Sequence, residues 1–215
     1  MDNLIKQYNQ LYPNFKTTKC KNDECLICEA KIQNNEKDLL SLKIVNFTGE
    51  QFPYELAGGS TSFYTKAGCP DPMKANCDGI VCTTINGRES LLLCELKSSF
   101  SVEGIFDAKE QIVGSYMRLK AQMSILQANK NCELHGLIVS YLPKTEQLTK
   151  IKTLTDRKAK FAMGLYSLGI YDMEDVMCKR FYFPIDVPGI HLHYFGVPIG
   201  KQHYEISANE LFKMW

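Results

Sequence analysis

Asn86-Gly87 constrains the fold more than any other pair in the chain. It lies within Cys77 to Lys97, CDGIVCTTINGRESLLLCELK. A two-residue type I′ turn needs positive φ at both central positions, which Asn and Gly adopt at least cost, so this stretch is predicted to be two antiparallel strands. The turn also sets the register. Ile85 faces Arg88, and each step outward pairs the next residues, which puts Asp78 opposite Glu95. Side chains alternate along a strand, so Lys97 shares a face with Glu95. The open end of the hairpin is therefore expected to gather two carboxylates and one ammonium.

Like charges placed opposite one another destabilise a strand pair. Two arrangements relieve the repulsion. One is a hard divalent cation, since Mg²⁺ takes a few carboxylate oxygens and keeps several waters. The other is a solvated strand end screened by the lysine.

The chain has 215 residues, enough for one large domain with a substantial core. Its 25 basic and 24 acidic residues leave a net charge of +1, so any polyanion site must be local. The N-terminus, MDNLIKQYNQLYP, lacks the apolar run of a secretion signal, and no run approaches a membrane span. A soluble, cytoplasmic protein with no membrane partner is the expectation. The nine cysteines are then read as reduced thiols, some of them open to metal.

Leu4, Ile5, Tyr8, Leu11 and Tyr12 recur at helical spacing before Pro13. Cys20, Cys25 and Cys28 follow as C-x4-C-x2-C, half of a zinc or iron–sulfur site, with the fourth ligand sought at Cys69, Cys77, Cys178 or a histidine. Structural or incidental thiols explain the same spacing. Residues 37–47 fit helix or strand, and 48–76 read as a loop in which Glu50 and Glu55 could supply a further carboxylate. After the hairpin, Ser98 to Phe106 reads as a connection. A helix is predicted from Asp107, with Glu110 completing a capping box. Its apolar stripe is Ile112, Tyr116, Leu119, Met123 and Leu126. Gln111 lies off that stripe, in the expected first turn, where it either reaches the acidic cluster or faces water. Residues 134–142 form an apolar strand of the kind buried on both faces.

Lys144, Lys150, Lys152, Arg157, Lys158 and Lys160 make 144–160 the most basic stretch. It is either a solvated helical face or a surface that contacts phosphates. Another helix is expected within 161–178. Residues 180–206 are aromatic and strand-like, and a short helix closes the chain. His191 and His193 alternate onto one face there, and His203 is placed to return beside them as a zinc set, although a half-buried surface accounts for such histidines equally.

Asp78, sixteen residues, then Glu95-Leu96-Lys97 resembles the D…(D/E)-x-K signature of the PD-(D/E)XK nuclease superfamily. The run Leu91-Leu92-Leu93 leads into Glu95, Ser98-Ser99 follow the lysine, and a helix bearing Gln111 and a buried strand come next. The resemblance covers roughly residues 75–142. Cys77 replaces a frequent proline, and Gln111 to Tyr116 is one residue longer than the Gln…Tyr motif of RecB-type members. The implied fold is α/β with a restriction endonuclease-like core, a central mixed sheet flanked by helices and an extra β-rich part at 180–215. Residues 1–215 would form one domain, with 1–47 a helical and cysteine-containing extension and 75–142 the catalytic core. The implied activity is phosphodiester hydrolysis in nucleic acid, DNA before RNA. Asp78, Glu95 and the carbonyl of Leu96 would hold Mg²⁺ or Mn²⁺. Lys97 would act on the attacking water, Gln111 would position water or phosphate, and the basic stretch would track the backbone. A cutter of both strands would most simply be a homodimer. A nuclease-fold binding module without catalysis and a metal-stabilised interaction protein built on Cys20, Cys25 and Cys28 are the competing readings.

Overall fold

The computed structural model describes residues 2–29, 39, 41–54, 61–68, 74–124, 126, 132–172, 190–213 and 215. In chain order the elements are α1 (Asp2–Leu11), β1 (Thr18–Lys19), β2 (Glu24–Cys28), β3 (Ser41–Val45), β4 (Gly49–Gln51), α2 (Thr61–Lys66), β5 (Gly79–Ile85) and β6 (Arg88–Lys97). There follow α3 (Val102–Met123), β7 (Glu133–Tyr141), α4 (Thr145–Lys152), α5 (Arg157–Leu168), β8 (Ile170–Asp172), β9 (His191–Val197), β10 (His203–Ser207) and α6 (Ala208–Phe212).

Seven strands form a mixed sheet in the order β1-β4-β5-β6-β7-β9-β8, and a second sheet has the order β10-β3-β2. The β5–β6 hairpin is antiparallel with Ile85 opposite Arg88, and Asn86 and Gly87 take φ of 50° and 81° as the turn requires. β6, β7 and β9 run parallel. β6 is buried on both faces because alternate residues serve two cores. Leu91 and Leu93 pack with α1, α3 and α5, whereas Leu92, Cys94 and Leu96 pack beneath the smaller sheet and α6.

α3 begins at Val102 rather than Asp107. Ser101 caps it, its hydroxyl accepting from the Gly104 N–H at 3.0 Å. Gly104 in the first turn disguises this start, because glycine disfavours helix interiors. The expected stripe is buried from Ile112 to Met123, and Gln111 falls in the middle of the helix, not in its first turn.

Residues 41–45, ambiguous in sequence, form strand β3. The expected loop of 48–76 contains β4 and α2. Gly49 lets β4 approach β5, since a Cβ there would lie 2.7 Å from the Cys82 carbonyl oxygen. The helix expected within 161–178 runs Arg157–Leu168 and ends at Gly169, in the left-handed conformation at φ 71°. Residues 180–189 of the β-rich part, Glu55, Cys69 and Cys178 lie outside the described residues. Residues 1–47, expected as an extension, contribute β1 to the large sheet and β2 and β3 to the small one.

Candidate active site

The β5–β6 ladder runs out to Gly79 opposite Cys94, one step short of the acid pair. Asp78 leaves the ladder there. Its backbone N–H donates to the Cys94 carbonyl at 2.9 Å, and its carboxylate Oδ2 accepts from the Leu96 N–H at 2.8 Å. Asp78 is thus tied across the hairpin to the residue after Glu95 instead of sitting directly opposite Glu95. In a strand, the N–H and C=O of one residue face the same edge. The Leu96 carbonyl therefore opens toward the side from which Asp78 approaches.

Glu95 and Lys97 share the face covered by α3. The Glu95 carboxylate is 1% exposed, and its Oε1 accepts from Lys97 Nζ at 2.6 Å. Its other oxygen, Oε2, is buried with no hydrogen-bond partner among the described residues. Burial pushes the Glu95 pKa well above the usual carboxylate range, and the Asp78 charge raises it further. The Lys97 ammonium opposes both effects without overcoming them. Glu29, just past the end of β2, adds to the negative field. That strand end is brought close by Ile27, which packs where a Cβ on Gly79 would lie 3.0 Å from its Cγ2 atom.

Gln111 joins the cluster from the middle of α3. Lys97 Nζ donates to Gln111 Oε1 at 2.6 Å, and Gln111 Nε2 donates to the Asn76 carbonyl at 2.8 Å. One amide thus holds the lysine with its oxygen and the segment before Asp78 with its nitrogen. Two further residues of α3 reach that segment. Ser115 Oγ accepts from the Cys77 N–H at 2.8 Å, and the fully buried Arg118 donates to the Ala75 carbonyl and to Asn76 Oδ1. Sequence reasoning alone missed both. The available signal was a polar row, Gln111, Ser115 and Arg118, at four- and three-residue spacing beside the apolar stripe.

No family model, curated protein or solved structure matches the chain. The resemblance to the PD-(D/E)XK nucleases thus stands on the hairpin residues and the helix that follows them.

The donor set suits a small, hard cation. Among the described residues, no group of three or more His, Cys, Asp and Glu side chains is arranged to hold a metal ion. At the hairpin the donors would be two carboxylates, the Leu96 carbonyl and water, a set that Mg²⁺ and Mn²⁺ accept and that suits zinc poorly. The Glu95 oxygen that lacks a partner among the described residues fits a proton or a cation, because a buried anionic oxygen without either is costly.

The other candidates are dispersed. Cys25 is buried and Cys28 exposed on opposite faces of β2, so the three-cysteine set does not converge, although Cys20 and Cys25 interact through their side chains. Glu50 carries a hydrogen bond from Thr17 and pairs through β4 with Cys82, away from the hairpin's open end. His203 lies in the small sheet with its Nδ1 2.8 Å from Ser41 Oγ and does not return beside His191 and His193. His193 Nε2 meets His135 Nδ1 at 3.1 Å instead, and Trp215 stacks over both rings. Burial lowers the pKa of His135, and that of His193 to about 3. Lys144, Lys150, Lys152, Arg157, Lys158 and Lys160 are all exposed on or beside α4 and α5, and α5 packs on α3.

Proposed function

We propose that the protein is a divalent-cation-dependent nuclease of the PD-(D/E)XK type, with a restriction endonuclease-like core and with DNA as the expected substrate. The observation that carries this reading is the buried carboxylate of Glu95, which has one oxygen on Lys97 and the other without a partner among the described residues. A fold that needed only a neutral core would place leucine there. Burying a charge and leaving half of it unpaired costs several kcal/mol unless the group takes up a proton or a counter-ion arrives.

Asp78, Glu95 and the Leu96 carbonyl would hold Mg²⁺ or Mn²⁺, which when bound acidifies a water and offsets charge on the scissile phosphate. Asp78 keeps one oxygen committed to the Leu96 N–H, which fixes the direction in which its carboxylate is presented. Lys97, with its side chain 22% exposed, places a positive charge where the attacking water and phosphate would lie. Gln111 keeps the Lys97 Nζ beside Glu95 and out of bulk solvent. The exposed basic residues of α4 and α5 would contact the phosphate backbone, and a second copy of the chain would serve the opposite strand of a duplex.

The test is incubation of the purified protein with plasmid, single-stranded DNA and RNA, in Mg²⁺, Mn²⁺ or EDTA. Cleavage should require the cation and fall about 100-fold or more in Asp78→Ala and in Lys97→Ala. Cleavage that survives either substitution overturns the reading, and binding without cleavage points to a nuclease-fold binding module.

A further inference from the structure

The backbone ahead of Asp78 is held from one side by one helix. Ala75, Asn76 and Cys77 have no ladder partners of their own, since β5 begins at Gly79. Three of their backbone polar groups go instead to α3, while Asn76 Nδ2 donates to the Tyr54 hydroxyl at 3.4 Å. The Asn76 carbonyl takes Gln111, the Cys77 N–H takes Ser115, and the Ala75 carbonyl and Asn76 side chain take Arg118. Arg118 Nη2 also lies 3.4 Å from Ser115 Oγ, so the two residues brace each other. Ser115 and Arg118 are both 0% exposed. A guanidinium is expensive to bury, and a residue that only filled space at this position would be apolar. Both hold the segment that delivers a carboxylate.

We infer that Ser115 and Arg118 are positioning residues for Asp78, forming with Gln111 a polar row that locks residues 75–77 and so sets where the Asp78 carboxylate meets Glu95. The inference rests on the reading of Asp78 as a cation-holding group. Loss of an outer partner of a metal-holding carboxylate typically lowers metal affinity 10- to 100-fold. The row also ties the two halves of the site together. Gln111 holds Lys97 through its oxygen, so a shift of α3 along its axis would move the lysine and the Asp78 segment in concert.

The experiment uses the full chain with Mn²⁺ as the probe. Ser115→Ala is the gentle variant. Arg118→Gln removes the charge, and Arg118→Lys tests rescue. Mn²⁺ affinity is measured by electron paramagnetic resonance well below the thermal midpoint, and amide hydrogen exchange is followed at residues 75–78. Ser115→Ala and Arg118→Gln should weaken Mn²⁺ binding about 10-fold or more and should lose protection at 75–78 beyond any global change. Arg118→Lys should recover part of both. Wild-type Mn²⁺ affinity together with unchanged protection at 75–78 in Ser115→Ala and Arg118→Gln overturns the inference, whatever happens to the midpoint. If the wild-type protein binds no Mn²⁺, the nuclease reading falls instead. The exchange arm then decides alone whether the row holds the segment.

Discussion

Glu95 is buried at a cost, and it is the residue on which the proposed chemistry turns. Burial and the Asp78 charge raise its pKa in the folded chain, while the unfolded chain titrates near the ordinary carboxylate value. The folded state therefore holds the proton more tightly. The associated stability is complete below the ordinary carboxylate pKa and is lost as pH rises through the raised folded value. In EDTA, thermal stability should fall across that interval, and Glu95→Gln should flatten the fall. At neutral pH the same substitution should raise the midpoint by a few degrees, since about 1 kcal/mol is worth ~2–4 °C in a chain of this size. Added Mn²⁺ should stabilise the wild-type protein more at higher pH, because cation and proton compete for Glu95, and it should do nothing for Glu95→Gln. Calorimetry with and without Mn²⁺ across pH checks all of these outcomes. The shared face of Glu95 and Lys97 was legible in the sequence because a period of two sets it, whereas Asp78, expected opposite Glu95, leaves the ladder one step earlier. Ser115 and Arg118 were not legible, because they bind backbone atoms 38 and 43 residues away, and nothing in either sequence window announces that meeting.

At the scale of elements, the hairpin and the long helix position the site by different means. The hairpin is local, and its turn residues carry the information. The helix depends on its cap and on one close approach. α3 lies against β7 because residue 136 is glycine. A Cβ there would lie 2.4 Å from Leu192 Cδ2 and 3.1 Å from Ile112 Cγ2. The sequence pattern misplaces the start of α3 because Asp107 and Glu110 imitate a capping box inside the helix, whereas the working cap, Ser101, precedes a turn that includes Gly104. Ser101→Ala should cost about 1 kcal/mol. Its thermal midpoint should drop while Mn²⁺ affinity stays at the wild-type value, since Gln111, Ser115 and Arg118 lie well inside the helix. Strand β3 was ambiguous for another reason. Its residues Leu42 and Ile44 are buried in a core shared with Leu92, Leu96, Leu137 and Ile206, which come from distant parts of the chain, and a short apolar run does not reveal what will cover it.

For the molecule as a whole, the near-zero net charge means that the nucleic-acid binding proposed above would have to come from a local surface. Substituting Lys150, Lys152, Lys158 and Lys160 by Gln should weaken duplex DNA binding and reduce the slope of log affinity against log salt by up to about 0.9 for each phosphate no longer neutralised. Titrations at several salt concentrations measure this, and an unchanged slope would assign the basic face to solvent. No helix among the described residues is long and apolar enough to cross a membrane. The mixed sheet between helices agrees with the α/β architecture read from the order of elements, and the second sheet was not foreseen. Its β3–β10 pairing joins segments that no local pattern connects.

That second sheet also orders events in time. β3 pairs in parallel with β10, and Ser41 meets His203 across a sequence separation of 162 residues. During synthesis β3 emerges long before its partner, and until β10 arrives its hydrogen-bonding edge and the apolar faces of Leu42 and Ile44 lack their final cover. Contacts of such sequence separation form late and slow folding. The newborn chain therefore passes through a stage in which the hairpin bearing Asp78 and Glu95 can already close while the layer beneath it is still open. Its solubility at that stage depends on how quickly β10 is delivered.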